Sequence, residues 1–230
     1  MTQSSTAVDQ QYYIQLEEKH GAHNYHPLPV VLERGKGAQV WDTDGKPYYD
    51  FLSGYSAVNQ GHCHPALVEA MQEQASTLTL TSRAFHSNLL GVYEAYITKY
   101  FGFDKVLPMN TGVEAVETAI KLARKWAYKV KKVLPGQARV VVCDANFHGR
   151  TMGVISFSTD PSAKNEFGPF LEGFNVVPYN NLPALEKAFQ SEHVAAFLFE
   201  PIQGEAGVVV PDEGYYKGIR ELCNRYNVLM

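Results

Sequence analysis

The sequence predicts an α/β fold, a mostly parallel sheet with helices on both faces, preceded by a small N-terminal α+β segment. Two observations carry that expectation. From Lys105 onward, short apolar runs rich in β-branched residues alternate with helical patterns, and such alternation predicts a parallel sheet covered by helices. Before Lys105 the rhythm differs: VWDTDGKPYYDF places two strand-like runs, 38–42 and 47–51, around Asp44-Gly45, a hairpin signal.

Taken in order, the chain divides into an N-terminal segment with the hairpin (1–55), two connecting helices near 65–80 and 88–101 (within 56–104), and a larger domain from 105 to 230. In the last part, strands are expected at 105–109, 138–143, 174–178, 195–200 and 227–230, and helices at 113–130, 182–190 and 214–226. Val113, Val116, Ala119, Ile120 and Ala123 recur at the three- and four-residue spacing of one buried stripe, and Glu117 and Lys121 stand at i,i+4 on the opposite face. The run Val228-Leu229-Met230 reads as the start of a buried strand. The expectation is therefore that the chain is the N-terminal portion of a longer protein, truncated at Met230, with its large domain incomplete.

Composition narrows the classes of function. Of the 230 residues, 45% are hydrophobic and 19% charged, and the formal net charge is -4, a globular balance that gives no reason to expect a nucleic-acid or anionic-membrane partner. Cys63, Cys143 and Cys223 are too few and too far apart for a disulfide framework. The start, MTQSSTAVDQQYYIQLEEKH, has neither a basic-then-apolar plan nor an Arg-rich one, so the expected location is cytoplasmic. No metal site is expected: His62 and His64 have no second ligand pair at a recognisable distance.

In open parallel sheets ligands collect beyond the carboxyl ends of the strands. Three such loops hold the chemistry: Asn110-Thr111-Gly112, then Asn146-Phe147-His148-Gly149-Arg150, then Pro201 to Gly207 with Glu205. A helix start offers free N–H groups and partial positive charge to an anion. The same residues also describe an ordinary capped helix, and the residues alone leave both readings open. Arg150 is either a carboxylate clamp or a surface arginine closing a turn, Phe147 either a platform or core, and Glu205 either a site residue or part of a turn.

Five segments, AHNYHPLPV, SAVNQGHCHP, PMNTGVEAVETAIKLARKW, NFHGRT and EPIQGEAGVVVP, resemble the class-III, fold type I pyridoxal-phosphate aminotransferases. NFHGRT and EPIQGE mark only the subgroup acting on terminal amino groups. HNYHPLPV and GEAG are similar to its ornithine-using branch. The resemblance implies pyridoxal 5'-phosphate as cofactor, with Thr111, Gly112 and Val113 on its phosphate and Phe147 on its ring. It implies Arg150 on the substrate α-carboxylate, Tyr25 on the α-amino group, Tyr55 at the entrance, and Glu205 paired with an arginine outside this sequence. The substrates implied are ornithine and 2-oxoglutarate, and the assembly a homodimer. No catalytic residue is identified within the chain. None of the thirteen lysines stands in a matching motif, so the Schiff-base lysine is expected beyond Met230. Two alternatives accompany this reading: an acetylornithine or 4-aminobutyrate aminotransferase, and a non-catalytic short homologue acting as a binding module.

Overall fold

The structure, a computed structural model, describes residues 9–205 and 207–230. Residues 1–8 of the expected N-terminal segment, and Ala206 of the third loop, lie outside the described residues. The chain forms two units that divide between Tyr96 and Ile97.

In the first unit, helix α1 (Gln10–His20) is followed by strands β1 (Leu32–Lys36), β2 (Gln39–Asp42) and β3 (Pro47–Tyr49) in an antiparallel sheet of order β1-β2-β3. The expected hairpin forms with Val40 opposite Tyr48. Asp42 organises its turn, and the carboxylate is only 2% exposed. It accepts from the Tyr48 hydroxyl at 2.7 Å and from the Lys46 and Asp44 amides at 2.8 and 3.1 Å. The Tyr48 hydroxyl, followed by those amides, holds the Asp42 carboxyl below its ordinary range. Strand β1 was not expected, because its sequence LERGK is polar and four of its five positions are exposed. Pairing with β2 makes it a strand, and Arg34 covers the Trp41 ring at 4.1 Å. His62 bonds Asp50 at 2.7 Å. Helix α2 (Ser53–Ser56) is a single tight turn. The two expected helices are α3 (Pro65–Thr77) and α4 (Leu90–Phe101), and neither has a buried residue.

The second unit is the parallel sheet. Strands β4 (Arg139–Cys143), β5 (Phe174–Val177) and β6 (Val194–Leu198) take the order β5-β4-β6, all parallel. Leu229 extends the sheet beside β6: its N–H donates to Ala195 at 3.0 Å, and its carbonyl accepts from Phe197 at 2.8 Å. A strand buried on both faces reads as a continuous apolar run, and RVVVC does so. Val140 and Val142 face α5 (Gly112–Trp126) in a cluster with Ile120, Ala123 and Phe157. Val141 and Cys143 face α8 (Leu182–Phe189) and α9 (Tyr215–Tyr226), packed with Leu185, Phe189, Ile219 and Leu222. Helices therefore cover both faces, as the alternation predicted. Short helices α6 (Met152–Ile155) and α7 (Pro161–Lys164) complete the unit.

Helix α5 runs on into a π turn, Ala127–Lys131, that ends on Lys132 at φ 65°. The Lys131 ammonium donates to the carbonyls of Val194, Asn227 and Tyr226 at 2.7, 2.9 and 3.2 Å, so it satisfies the end of α9.

One expected strand is corrected. Residues 105–109 adopt no strand, and no backbone ladder joins them to another segment among the described residues. An apolar run becomes a strand only where a neighbour takes its N–H and C=O groups, and Pro108 has no N–H to give. The Glu117–Lys121 pair also does not form. Glu117 turns inward and receives the Thr151 hydroxyl.

Candidate active site

The order β5-β4-β6 with Leu229 beyond β6 creates a switch point. The connection leaving β4 returns to β5 on one side, whereas the connection leaving β6 returns on the other. A crevice therefore opens between the carboxyl ends of β4 and β6, where ligands of such sheets bind. The loops 144–151 and 199–209 flank it.

The start of α5 joins this crevice. Thr111 is the N-cap, and its side-chain oxygen accepts from the Glu114 amide at 3.2 Å. Glu114 reaches back to the Asn110 amide at 3.0 Å, a close variant of a capping box. The first amides, of Gly112 and Val113, are those a helix start leaves unpaired. A Cβ on Gly112 would meet nothing within 4 Å, so the Gly112 side of this helix start is open. Gly149 presses the second loop against the same helix turn. It has φ 119°, and a Cβ there would lie 2.6 Å from Val113 Cγ2. Thr151 bonds Glu117, and a Cβ on Gly153 would meet Glu117 Oε1 at 2.6 Å. Close approach of backbone to helix at Gly149 and Gly153 thus seats this loop at the N-terminal end of α5.

Buried polar groups hold the two crevice loops in place. Asn146, 7% exposed, donates to the carbonyls of Cys143 at 2.7 Å and Phe157 at 3.1 Å. The Phe147 amide donates to Glu200 Oε2 at 3.1 Å, while the Phe147 ring itself is 40% exposed. Gln203 donates to the Asp144 carbonyl at 2.7 Å, and its backbone pairs with Val209 at 3.1 and 3.0 Å, which closes a small hairpin. Burial depresses the His148 imidazole to about 4, so this ring is neutral near pH 7.

The structure brings Thr111, Gly112, Val113 and Phe147 into one rim through the contacts just described. Arg150 follows directly on Gly149 and is exposed. Glu205, also exposed, sits on the 203–209 hairpin. Tyr25 and Tyr55 belong to the first unit. Tyr25 is half exposed and lines a cleft of about 880 Å³ between α1 and residues 21–32. Tyr55 has φ 58° and is 73% exposed, a strained backbone position that presents its ring outward.

The sequence placed Asn146 and Gln203 in the rim loops without a role for either, and gave none to Glu200. A buried amide or acid at the end of an apolar strand was the available signal. Among the described residues no group of three or more His, Cys, Asp or Glu side chains is placed to hold a metal, and no helix is long and apolar enough to cross a membrane.

Strand order and loops together define an open α/β unit whose switch point lies between the carboxyl ends of β4 and β6. The chain belongs to the class-III aminotransferases, whose family model matches residues 20–230. A rat relative, the mitochondrial ornithine aminotransferase, is 61% identical over 219 residues, which are 95% of this chain and 50% of the rat protein. A Caenorhabditis elegans relative, described as a probable mitochondrial ornithine aminotransferase, is 60% identical over all of this chain and 54% of its own length. The chain thus spans about half the length of the curated relatives it matches. Among solved structures, the ornithine aminotransferase of Toxoplasma gondii aligns with a TM-score of 0.95 and 47% identity, covering 97% of this chain and 52% of that one. That structure is described as having partial occupancy of PLP at its active site. A structure described as acetylornithine aminotransferase from Elizabethkingia anophelis is 61% identical, with a TM-score of 0.84, covering 96% of this chain and 54% of that one.

These relatives confirm the fold type I architecture and correct the expected location. The rat and nematode proteins are named mitochondrial, which overturns the cytoplasmic expectation. That expectation rested only on the absence of a recognisable targeting pattern, and an absent pattern carries no positive information.

Proposed function

We propose that the whole protein is a pyridoxal-phosphate-dependent aminotransferase that moves the δ-amino group of ornithine to 2-oxoglutarate, giving glutamate 5-semialdehyde and glutamate. The observation that carries this reading is the α5 start. Its open Gly112 position and unpaired first amides are clamped by Gly149 to the loop that bears an exposed ring and an arginine. That donor set fits the cofactor: amides and a partial positive charge for a phosphate, an aromatic face for a ring.

On this reading the Gly112 and Val113 amides donate to phosphate oxygens. Thr111 Oγ1 already accepts from Glu114, which leaves its hydroxyl proton for the same phosphate. The exposed face of Phe147 stacks on the pyridine ring. Arg150 grips the substrate α-carboxylate with its planar fork, and Tyr25 meets the α-amino group, so the distal amine is the one that reaches the cofactor. Tyr55 lines the entrance and narrows the choice of substrate. Glu205 engages an arginine from outside this chain until 2-oxoglutarate needs it. When bound, the cofactor supplies the electron sink. Residues 105–230 are the first part of its large domain, 1–55 and 56–104 are the segments before it, and the protein works as a homodimer in mitochondria.

A second reading, acetylornithine as the amine donor, is favoured by the 61% identity to the Elizabethkingia anophelis structure. Steady-state turnover of the full-length protein with 2-oxoglutarate separates them. Ornithine is expected to give a kcat/KM at least tenfold above N-acetylornithine and 4-aminobutyrate. Equal or reversed values would sink the ornithine assignment.

A further inference from the structure

We infer that Glu200 is a positioning residue that holds the Phe147 platform and the Glu205-bearing hairpin in one register across the crevice. This rests on the aminotransferase reading.

Glu200 stands just past the end of β6, 53 residues from Phe147, yet its carboxylate accepts from the Phe147 amide at 3.1 Å. One acceptor-only side chain, on the segment that leads into the hairpin, therefore joins that segment to the backbone under the ring. The surrounding bonds fix Glu200 itself. The Tyr179 hydroxyl donates to the Glu200 and Pro201 carbonyls at 3.1 and 2.6 Å, and the Tyr216 hydroxyl also donates to Pro201. Gln203 ties the hairpin base to Asp144 at the end of β4. Glu200 has no cation partner among the described ion pairs. Even a half-buried carboxylate without a cation carries a desolvation cost, and packing alone would be served better by an amide or an apolar side chain. What an ionised carboxylate offers, and an amide does not, is a charge-assisted acceptor for the Phe147 N–H.

The test is Glu200→Gln in the full-length protein. The amide keeps one oxygen for the Phe147 N–H but loses the negative charge that strengthens that bond. Pyridoxal-phosphate affinity is expected to fall about tenfold, as for one lost charge-assisted hydrogen bond. The visible circular-dichroism band of the bound cofactor should weaken, and KM for 2-oxoglutarate should rise with KM for ornithine little changed. Thermal unfolding of the cofactor-free protein should overlay wild type. Glu200→Asp, which keeps the charge on a shorter arm, should recover part of the affinity. Unchanged affinity and band, or a parallel loss of cofactor-free stability, would overturn the positioning role. Wild type that binds no pyridoxal phosphate would instead overturn the aminotransferase reading beneath it.

Discussion

Replacing Gly149 by valine is expected to weaken cofactor binding at least tenfold while leaving most of the sheet intact. Two costs fall on this one position. At φ 119° the backbone lies in a region that side-chain-bearing residues avoid, at about 1–3 kcal/mol. A Cβ would also stand 2.6 and 2.7 Å from the Cγ2 and Cβ of Val113, on the first turn of α5, so the loop or the helix start must move. Each lies beside proposed site residues: Phe147, for the cofactor ring, and Arg150, for the substrate carboxylate, on one, and the Gly112 and Val113 amides, for the phosphate, on the other. Absorbance titration with pyridoxal phosphate should show affinity reduced at least tenfold, since about 1.4 kcal/mol of misplacement suffices for that factor. Gly149→Ala should show a smaller loss, and adding Val113→Ala should recover only part of it, because the second change removes the 2.6 Å approach to Cγ2 while the 2.7 Å approach to the Cβ and the strain remain. Wild-type affinity in Gly149→Val would mean that this close approach does not shape the site.

Arg150→Ala is expected to lower kcat/KM for ornithine by roughly 10²–10⁴, with the protein still folded and cofactor-loaded. The figure follows from losing two charge-assisted hydrogen bonds at about 1.5–3 kcal/mol each. Arg150→Lys should fall between the two, since an ammonium keeps the charge but not the planar fork. Putrescine, which is ornithine without its carboxylate, supplies the control. Its slow turnover should be nearly the same in wild type and in Arg150→Ala. If both donors lose equally, Arg150 acts on the loop and not on the carboxylate.

How far the sequence foretold this structure can be argued from single elements. Strand β4 was legible because Val140, Val141 and Val142 are apolar on both faces, and the core lies on both faces. The hairpin was legible because Asp44-Gly45 has a local turn signature. Residues 105–109 misled because apolarity shows in the sequence whereas a ladder partner does not. Strand β1 was invisible for the converse reason: LERGK has no strand pattern, and only pairing with β2 makes it one. The rim was legible as three loops after three expected strands, although the first of those strands did not form. Its supports were not. The Glu200–Phe147 bond spans 53 residues, and the Gly149–Val113 approach joins loop to helix. Neither leaves a periodic trace. The roles of Arg150, Tyr25, Tyr55 and Glu205 came from family resemblance, since one exposed side chain in a loop has no spacing to read.

The central claim is that the rim built by α5, the 146–151 loop and the 200–209 hairpin holds pyridoxal phosphate for transamination. Borohydride reduction of the full-length protein with pyridoxal phosphate, followed by peptide mapping, tests it most directly. The account predicts one pyridoxyl-lysine per chain, on a peptide outside residues 1–230, and its near disappearance in Gly149→Val at limiting cofactor. No labelled lysine, or a label on a lysine of this chain such as Lys121, would contradict it.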